Sequence, residues 1–156
     1  MTMHAEGVSA LENRLHGAQE IVKEKGITWE VAITGNLVEA SAEAITRALK
    51  ENPDIRYVLC TGQADTEGAA LAIERGFEGY AAAGFDLSPG ILKAVKAGHI
   101  RFTIDQQPYV QGYYPVVQLT LYCRYGIMPY DMDAGAGIIT EDKVDSVLRL
   151  SEKGYR

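Results

Sequence analysis

Apolar residues recur at three- and four-residue steps along much of the chain, a spacing that places them on one face of a helix. The first such stretch starts at Val8 and is followed by glycine. Asp65 or Thr66 is suited to cap the third stretch, and Ser88 the fourth, where it precedes a proline. The pattern predicts helices over residues 8–26, 40–51, 65–76 and 89–98.

Short runs rich in β-branched residues separate these helices and predict strands over residues 27–34, 55–61, 79–85 and 100–104. The second run is almost continuously apolar, which is typical of a strand buried on both faces of a parallel sheet. Strands that alternate with helices predict an α/β fold, with a Rossmann-like or flavodoxin-like parallel sheet and helices on both faces. Because only Met1 to His4 precede the first helical stretch, the first strand is expected to be truncated or missing.

The pattern changes after Gln107. From Tyr109 to Tyr125 nearly every residue is apolar or aromatic, and Pro115 is expected to kink the helix predicted there. A helix of this composition needs a cover on several sides. Residues 137–140 then predict a short strand, and an amphipathic helix follows that Thr140 is expected to cap.

Composition sets the class of protein. The chain has 156 residues, of which 47% are hydrophobic and 23% charged, as expected for one ordinary globular domain. The formal charge of -6 argues against a nucleic-acid partner. The first residues lack the basic and apolar regions of a signal peptide. Cys60 and Cys123 lie far apart in apolar runs and are predicted to be buried free thiols.

The sequence contains no pattern that predicts catalysis. His4, His16 and His99 have no metal-ligand spacing, and Cys60 has no neighbouring histidine that could activate it. The glycines form no phosphate-binding motif. We therefore predict no catalytic residue, no metal site and no cofactor.

Polar residues follow several predicted strands at the point where each strand ends. They are Asn36, Gly62 with Gln63, Asp86 and Gln106. The carboxyl ends of the strands form the edge where an open α/β sheet binds small molecules. A carboxylate beside amides suits a neutral ligand with many hydroxyl groups. The alternative is that these residues only cap turns and helices.

Three segments of the sequence carry a family resemblance: AGFDLSP around Asp86, FTIDQQPYVQGY around Gln106, and the closing GIITEDKVDSVLRLSEKGYR. Together they resemble the second half of a type I periplasmic sugar-binding protein, the solute receptor of an ABC importer. The similarity covers essentially the whole chain. It implies a non-catalytic sugar-binding function, a permease partner in the full-length parent and a periplasmic location.

The resemblance also implies roles for individual residues. Asp86 and Gln106 are expected to bind sugar hydroxyl groups, and Arg14 to reach the ring oxygen or hydroxyls. Asn36 matches a position that commonly lines the cleft. The family frequently has asparagine at the position of Gly62, so Gln63 is expected to substitute for it.

In this family the ligand lies between two lobes that close about a hinge. The resemblance divides the chain into a ligand-binding C-terminal lobe (1–106), a hinge crossing with an apolar helix that packs on the N-terminal lobe (107–129), and a return segment with the last helix (130–156). Without that lobe, one helix face would be exposed, comprising Val110, Tyr113, Val117 and Leu121. We therefore expect weak sugar affinity and self-association, including a homodimer through the helix over residues 109–125.

Two other functions stay open at this point. The effector-binding portion of a LacI-like repressor shares the fold and would need an upstream helix-turn-helix. A small α/β enzyme that acts on a sugar or a nucleotide would need a nucleophile or base near Asp86.

Overall fold

A two-stranded sheet and a four-stranded sheet, linked by an isolated β-bridge, form the centre of this computed structural model, which describes residues 1–135 and 137–156. Within these residues the strands are β1 (Thr2–Met3), β2 (Ala32–Ile33), β3 (Tyr57–Leu59), β4 (Ala81–Phe85), β5 (Ile100–Asp105) and β6 (Gly137–Ile139). Their spatial order is β2-β1-β3-β4-β5-β6, with a single bridge between Thr2 and Cys60 linking β1 to β3. β1 to β5 run parallel and β6 runs antiparallel. The predicted α/β fold is confirmed.

The described residues form six helices: α1 (Ser9–Glu24), α2 (Val38–Glu51), α3 (Gln63–Gly76), α4 (Pro89–Lys96), α5 (Pro108–Tyr125) and α6 (Glu141–Glu152). One face of the sheet carries α2, α3, α4 and α6 and holds the main core, in which Ile45, Ile91 and Val144 are fully buried. On the other face α1 packs Leu11 and Leu15 against Met3. Core packing is therefore concentrated on one side.

The strand predicted over residues 27–34 is wrong for its first part, because only Ala32 and Ile33 pair as strand. A strand forms only where a neighbour accepts its hydrogen bonds. β1 offers just two residues, Thr2 and Met3, so the preceding residues of the run lie outside the ladder. The expectation of a truncated first strand is confirmed by this two-residue β1.

One predicted helix cap is wrong, and a second is confirmed in position only. α3 begins at Gln63, so Asp65 and Thr66 lie inside its first turn. Thr140 precedes α6 as predicted, but its hydroxyl donates to the Asp142 carboxylate and accepts no helix N–H. The Ser88 cap is confirmed, since its hydroxyl accepts the N–H of Ile91 at 3.1 Å.

Residues 107–135, which we call the arm, leave the sheet after β5 and return at β6. The arm consists of α5 and an extended return segment, which are joined by a hydrogen bond of 2.9 Å from the Tyr130 N–H to Gln118 Oε1. None of the 18 residues of α5 is buried. Tyr113 and Leu121 are exposed as expected, whereas the other two residues of the predicted face are half-buried.

The two cysteines lie in different environments. Cys60 is buried and free, as predicted. The prediction for Cys123 is wrong, because this residue lies on α5 and is exposed. An apolar sequence around a cysteine predicts burial only where another element covers the helix. Among the described residues, no helix has the length and apolar character that crossing a membrane requires.

Candidate functional site

Three of the predicted site residues form a connected group at the carboxyl ends of the strands. The side-chain amide of Gln106 donates from Nε2 to Asp86 Oδ1 at 2.5 Å. Its Oε1 accepts a hydrogen bond of 2.5 Å from Nη2 of Arg14 on α1. All three side chains are partly buried, so the group forms a fixed polar surface that solvent still reaches.

The local fold explains why these residues meet. β4 and β5 are parallel neighbours, so Asp86 and Gln106, which follow them, come to the same edge of the sheet. The Asp86 N–H donates to the Ile104 carbonyl at 2.9 Å, and the Thr103 hydroxyl donates to the Asp86 carbonyl at 2.7 Å. These bonds hold Asp86 at a φ of 76°, in the left-handed region that non-glycine residues rarely occupy. Such backbone conformations cluster at functional sites.

Arg14 is held from three directions. Its Nη1 donates to the Thr61 carbonyl at 2.7 Å, while Nη2 donates to Gln106. The guanidinium carbon lies 4.1 Å from the centre of the Phe85 ring, a cation–π distance. A guanidinium held in this way presents its remaining N–H groups in a fixed direction, which suits recognition of hydroxyl oxygens.

A second buried group fixes the exit of the arm. Asp105, the last residue of β5, is fully buried and accepts the N–H of Gln107 at 2.8 Å. Its carboxylate also pairs with Arg156. The Gln107 side chain donates to the carbonyl of Ala134, where the chain returns. Asp105 and Arg156 lie inside the segments that carry the family resemblance, but the sequence did not reveal that they pair.

His4 also lies at this edge, a position that its sequence context did not predict. It follows β1, and the bridge between β1 and β3 brings it beside Gly62. A Cβ at Gly62 would lie only 2.7 Å from His4 Nδ1, so the asparagine frequent in the family would require His4 to move. Within the described residues His4 Nδ1 is buried without a hydrogen-bond partner. A two-residue β1 is too short a signal to locate this histidine from sequence.

Asn36 and Gln63 are not brought into the group. Both are exposed, and the Gln63 side chain donates to Glu67 on its own helix at 3.3 Å. Gln63 is the first residue of α3, which directs it along the outside of that helix. Their predicted contact with ligand therefore stays a prediction.

The side chains at the carboxyl edge of the sheet are groups that bind polar ligands. Across the residues that the structure describes, no cluster of histidine, cysteine and acidic side chains could hold a metal ion. Burial raises the pKa of the Cys60 thiol to about 12, which keeps it protonated and unreactive at neutral pH. The edge of the sheet can donate and accept hydrogen bonds, as a binding site for a polar ligand requires.

The chain belongs to the periplasmic binding protein family: the model of the periplasmic binding protein domain matches residues 1–126. This confirms the resemblance that the sequence segments carry. The chain is 30% identical over 154 residues to the xylose/arabinose-binding protein XylF of Sulfolobus acidocaldarius, a match that covers 93% of this chain and 38% of that protein.

Solved structures agree with this assignment. A carbohydrate transporter from Acidothermus cellulolyticus in complex with myo-inositol superposes with a TM-score of 0.87 at 26% identity, and the match covers 99% of this chain and 55% of that one. A solute-binding protein from Agrobacterium radiobacter in complex with D-arabinose gives a TM-score of 0.84 at 23% identity, with coverage of 96% and 52%. The chain thus spans about half the length of its solved relatives and a smaller share of its curated relative.

Proposed function

We propose that this chain is the sugar-contacting lobe of a solute-binding protein that serves an ABC importer, and that it binds its ligand without chemical change. The observation that carries the proposal is the linked group of Arg14, Gln106 and Asp86 at the carboxyl edge of the sheet. The family match and the carbohydrate complexes of similar structures support it. The ligand class that follows is a neutral monosaccharide or cyclic polyol.

The chemistry of the three side chains fits that ligand. The Asp86 carboxylate accepts hydrogen bonds, and only Oδ1 has a protein partner among the hydrogen bonds of the described residues, which leaves Oδ2 for a hydroxyl group. Gln106 both donates and accepts, and Arg14 only donates. A sugar hydroxyl does both, so it can replace water at each of these groups without leaving a polar atom unpaired.

The affinity of the chain by itself should be weak. A small-molecule site typically buries about 70–90% of its ligand. The candidate site presents one wall of such a cleft, and the chain spans only 38% of its curated relative. We propose that a second lobe is required to enclose the sugar and that Asn36 and Gln63 contribute only after closure.

We further propose that the parent protein works outside the cytoplasm, in the periplasm, where it would pass its sugar to a membrane permease. The family assignment supports a periplasmic or extracellular location. The formal charge of -6 supports the absence of a nucleic-acid partner. The arm supports self-association, since none of the residues of α5 is buried.

A sugar titration followed by NMR tests the binding site. Ribose, galactose, glucose, xylose and myo-inositol are added to the isolated chain while its amide resonances are recorded. We expect millimolar or weaker affinity, with shifts centred on Gly84, Asp86 and Gln106. The same titration applied to a fusion that places the first lobe of the Sulfolobus acidocaldarius relative before this chain should give tighter binding.

Matched variants give the comparison its control. Asp86→Ala should abolish the shifts, whereas Asp54→Ala, an exposed aspartate before β3, should leave them unchanged. Micromolar binding by the isolated chain would contradict the need for a second lobe. Shifts that persist in Asp86→Ala would contradict the proposed site.

A further inference from the structure

One position at the carboxyl edge of the sheet carries no side chain. Gly62 follows β3, which pairs with β4 and is linked by the bridge to β1, so it lies between His4 and Asp86 along this edge. Its φ of -149° and ψ of -175° describe extended backbone, which any residue can adopt. The backbone therefore does not require a glycine here, and the reason for one is space.

The imidazole ring of His4 fills the space that a side chain at position 62 would need. A Cβ on Gly62 would lie 2.7 Å from Nδ1 and 2.9 Å from Cε1 of His4. Both distances are well inside ordinary van der Waals contact, which is about 3.5–4.0 Å between carbon atoms. His4 and a side chain at position 62 thus exclude each other, and the ring stands where β3 would otherwise present a side chain of its own.

The backbone of Gly62 is also committed to contacts inside the chain. Its N–H donates to Asp65 Oδ1 at 3.0 Å. Its carbonyl accepts the N–H of Thr66 at 3.2 Å and also the hydroxyl of the same threonine. Because both polar groups of Gly62 already have partners, the imidazole of His4 is the polar group that this position can offer to a ligand.

The two nitrogens of the His4 ring differ in their surroundings. Nδ1, on the side of the ring that faces Gly62, is buried, and the described residues give it no hydrogen-bond partner. Nε2 also has no partner among these residues, but it is not buried, since the side chain as a whole is only partly covered. A neutral imidazole has one donor and one acceptor nitrogen, and a hydroxyl group both donates and accepts. Nε2 can therefore pair with a hydroxyl group in either tautomer.

The His4 ring lies beside the group of Arg14, Asp86 and Gln106. Arg14 joins the ends of β3 and β5, because its Nη1 donates to the carbonyl of Thr61, the residue before Gly62, and its Nη2 donates to Gln106. Asp86 follows β4, the neighbour of β3, and paired strands lie about 4.8 Å apart. A ligand that Asp86 holds is therefore about one strand spacing from the imidazole.

We propose that His4 is a ligand-contacting residue, which pairs through Nε2 with a hydroxyl group of the ligand and takes the place of the side chain that position 62 lacks. This inference rests on the proposed sugar-binding function and adds a contact on the β1 side of the same site. The Asp86 carboxylate only accepts hydrogen bonds and Arg14 only donates them, whereas a neutral imidazole can do either. His4 thus selects for a sugar or cyclic polyol that has a hydroxyl group at this place.

Imidazole resonances of the wild-type chain test the contact directly. Ribose, galactose, glucose, xylose and myo-inositol are each added while the nitrogen chemical shifts of the histidine rings are recorded together with the backbone amides. We expect a sugar that shifts Asp86 and Gln106 to shift Nε2 of His4 as well, with the same dissociation constant. The ring of His99, which precedes β5 at the opposite edge of the sheet, should not respond. A sugar that shifts Asp86 but leaves His4 unchanged would overturn the proposal.

Matched substitutions separate a ligand contact from a structural role. His4→Phe keeps a ring beside Gly62 but removes both nitrogens, one of which is buried without a partner. Its stability in urea should therefore equal or exceed that of the wild type, while its sugar affinity should fall about five-fold, the effect of one lost hydrogen bond. His99→Phe should leave the affinity unchanged. An unchanged affinity in His4→Phe would overturn the proposal, and a fall in affinity that accompanies a fall in stability would assign His4 a structural role instead.

A double variant tests whether His4 and position 62 exclude each other. Gly62→Asn alone should displace the His4 ring and lower both stability and sugar affinity. His4→Ala combined with Gly62→Asn frees the space and supplies an amide that can bind a hydroxyl group. The double variant should therefore bind sugar more tightly than either single variant, as expected for residues in contact. Effects that simply add would overturn the exclusion, and circular dichroism checks that each variant is folded.

The His4 contact can fail separately from the proposed function. If a sugar shifts Asp86 and Gln106 and His4→Phe binds it as tightly as the wild type, sugar binding stands and the His4 contact is overturned. If none of the five sugars shifts Asp86, Gln106 or His4, the proposed function is wrong and the contact falls with it.

Discussion

The body of the molecule, residues 1–106 and 137–156, and the arm use apolar residues in opposite ways. α3 in the body has 14 residues, of which seven are buried. α5 in the arm has 18 residues, and none is buried. α5 is the more apolar of the two helices, with one charged residue against four in α3, so composition alone would predict the reverse. The apolar surface of the body is thus covered by other elements of the described residues, whereas that of the arm is not.

The largest loss of stability is expected from substitution of Asp65 in the body. The arm contains no comparable buried carboxylate. The buried carboxylate of Asp65 accepts the N–H groups of Thr61 and Gly62 and the hydroxyl of Thr2 at 2.8–3.0 Å. Asp65→Ala leaves these donors without a partner and should lower the free energy of unfolding by about 3 kcal/mol. Urea denaturation measures the loss, and Asp54→Ala is the exposed control. A loss below about 1 kcal/mol would show that the three bonds matter little.

The same residue predicts a pH dependence. Burial raises the pKa of the Asp65 carboxyl above its ordinary value. The folded protein therefore holds this proton more tightly than the unfolded chain, and the stability that protonation adds is lost as the pH rises through the folded-state pKa. The difference in unfolding free energy between wild type and Asp65→Ala should be larger in mild acid than at neutral pH. A difference that grows with pH would contradict this.

A smaller effect is expected when the packing of the body is tested with one added methyl group. A Cβ at Gly84, on β4, would lie 2.1 Å from Thr66 Oγ1 and 3.0 Å from Cys60 Cβ. Thr66 cannot move freely, because its hydroxyl also accepts the N–H of Phe85 at 3.2 Å. Gly84→Ala should therefore cost about 2 kcal/mol in unfolding free energy. An unchanged melting temperature would mean that the body is less tightly packed than its geometry indicates.

The corresponding substitution in the arm should have the opposite sign. No atom lies within 4 Å of a Cβ placed on Gly112, in the second turn of α5. Alanine is a better helix former than glycine, so Gly112→Ala should stabilise the helix by about 0.5–1 kcal/mol. Hydrogen exchange of the α5 amides should slow accordingly. Faster exchange would indicate a contact at Gly112 within the chain.

The smallest expected effect is a difference in chemical reactivity between the two thiols, with no change in stability. In the folded protein, a thiol reagent should modify Cys123, which is exposed on α5, within the time of mixing. Cys60 is fully buried and should react only after unfolding. Modification of both thiols in the folded state would mean that β3 opens readily.

The sequence predicted most of the body because its signals are local. Helical spacing and the Ser88 cap located the helices, and the ends of β4 and β5 located Asp86 and Gln106. The predicted length of the strand over residues 27–34 was wrong. The length of a strand depends on the neighbouring strand, here the two-residue β1, and the sequence of the run gives no information about that neighbour. The same reason hid His4, whose position depends on the pairing of β1 with β3.

Site geometry was less predictable than the fold. The side chains of Arg14, Asp86 and Gln106 meet because α1, β4 and β5 converge, which the resemblance implied and the structure shows. Gln63 was expected beside them, but its place at the start of α3 directs it to Glu67. The direction of a side chain depends on where its element begins, and element boundaries are poorly set by local sequence.

The antiparallel pairing of β5 with β6 has a consequence for how the chain can be divided. Asp105 and Gly137 lie opposite each other in this ladder, so the whole arm is an insertion between two adjacent strands. A two-residue turn normally joins such strands. Replacing residues 106–136 by Asn-Gly would yield the sheet and its core as a miniature scaffold. We therefore expect that the arm can be deleted or replaced by another segment. The pairing of β5 with β6 would keep its register.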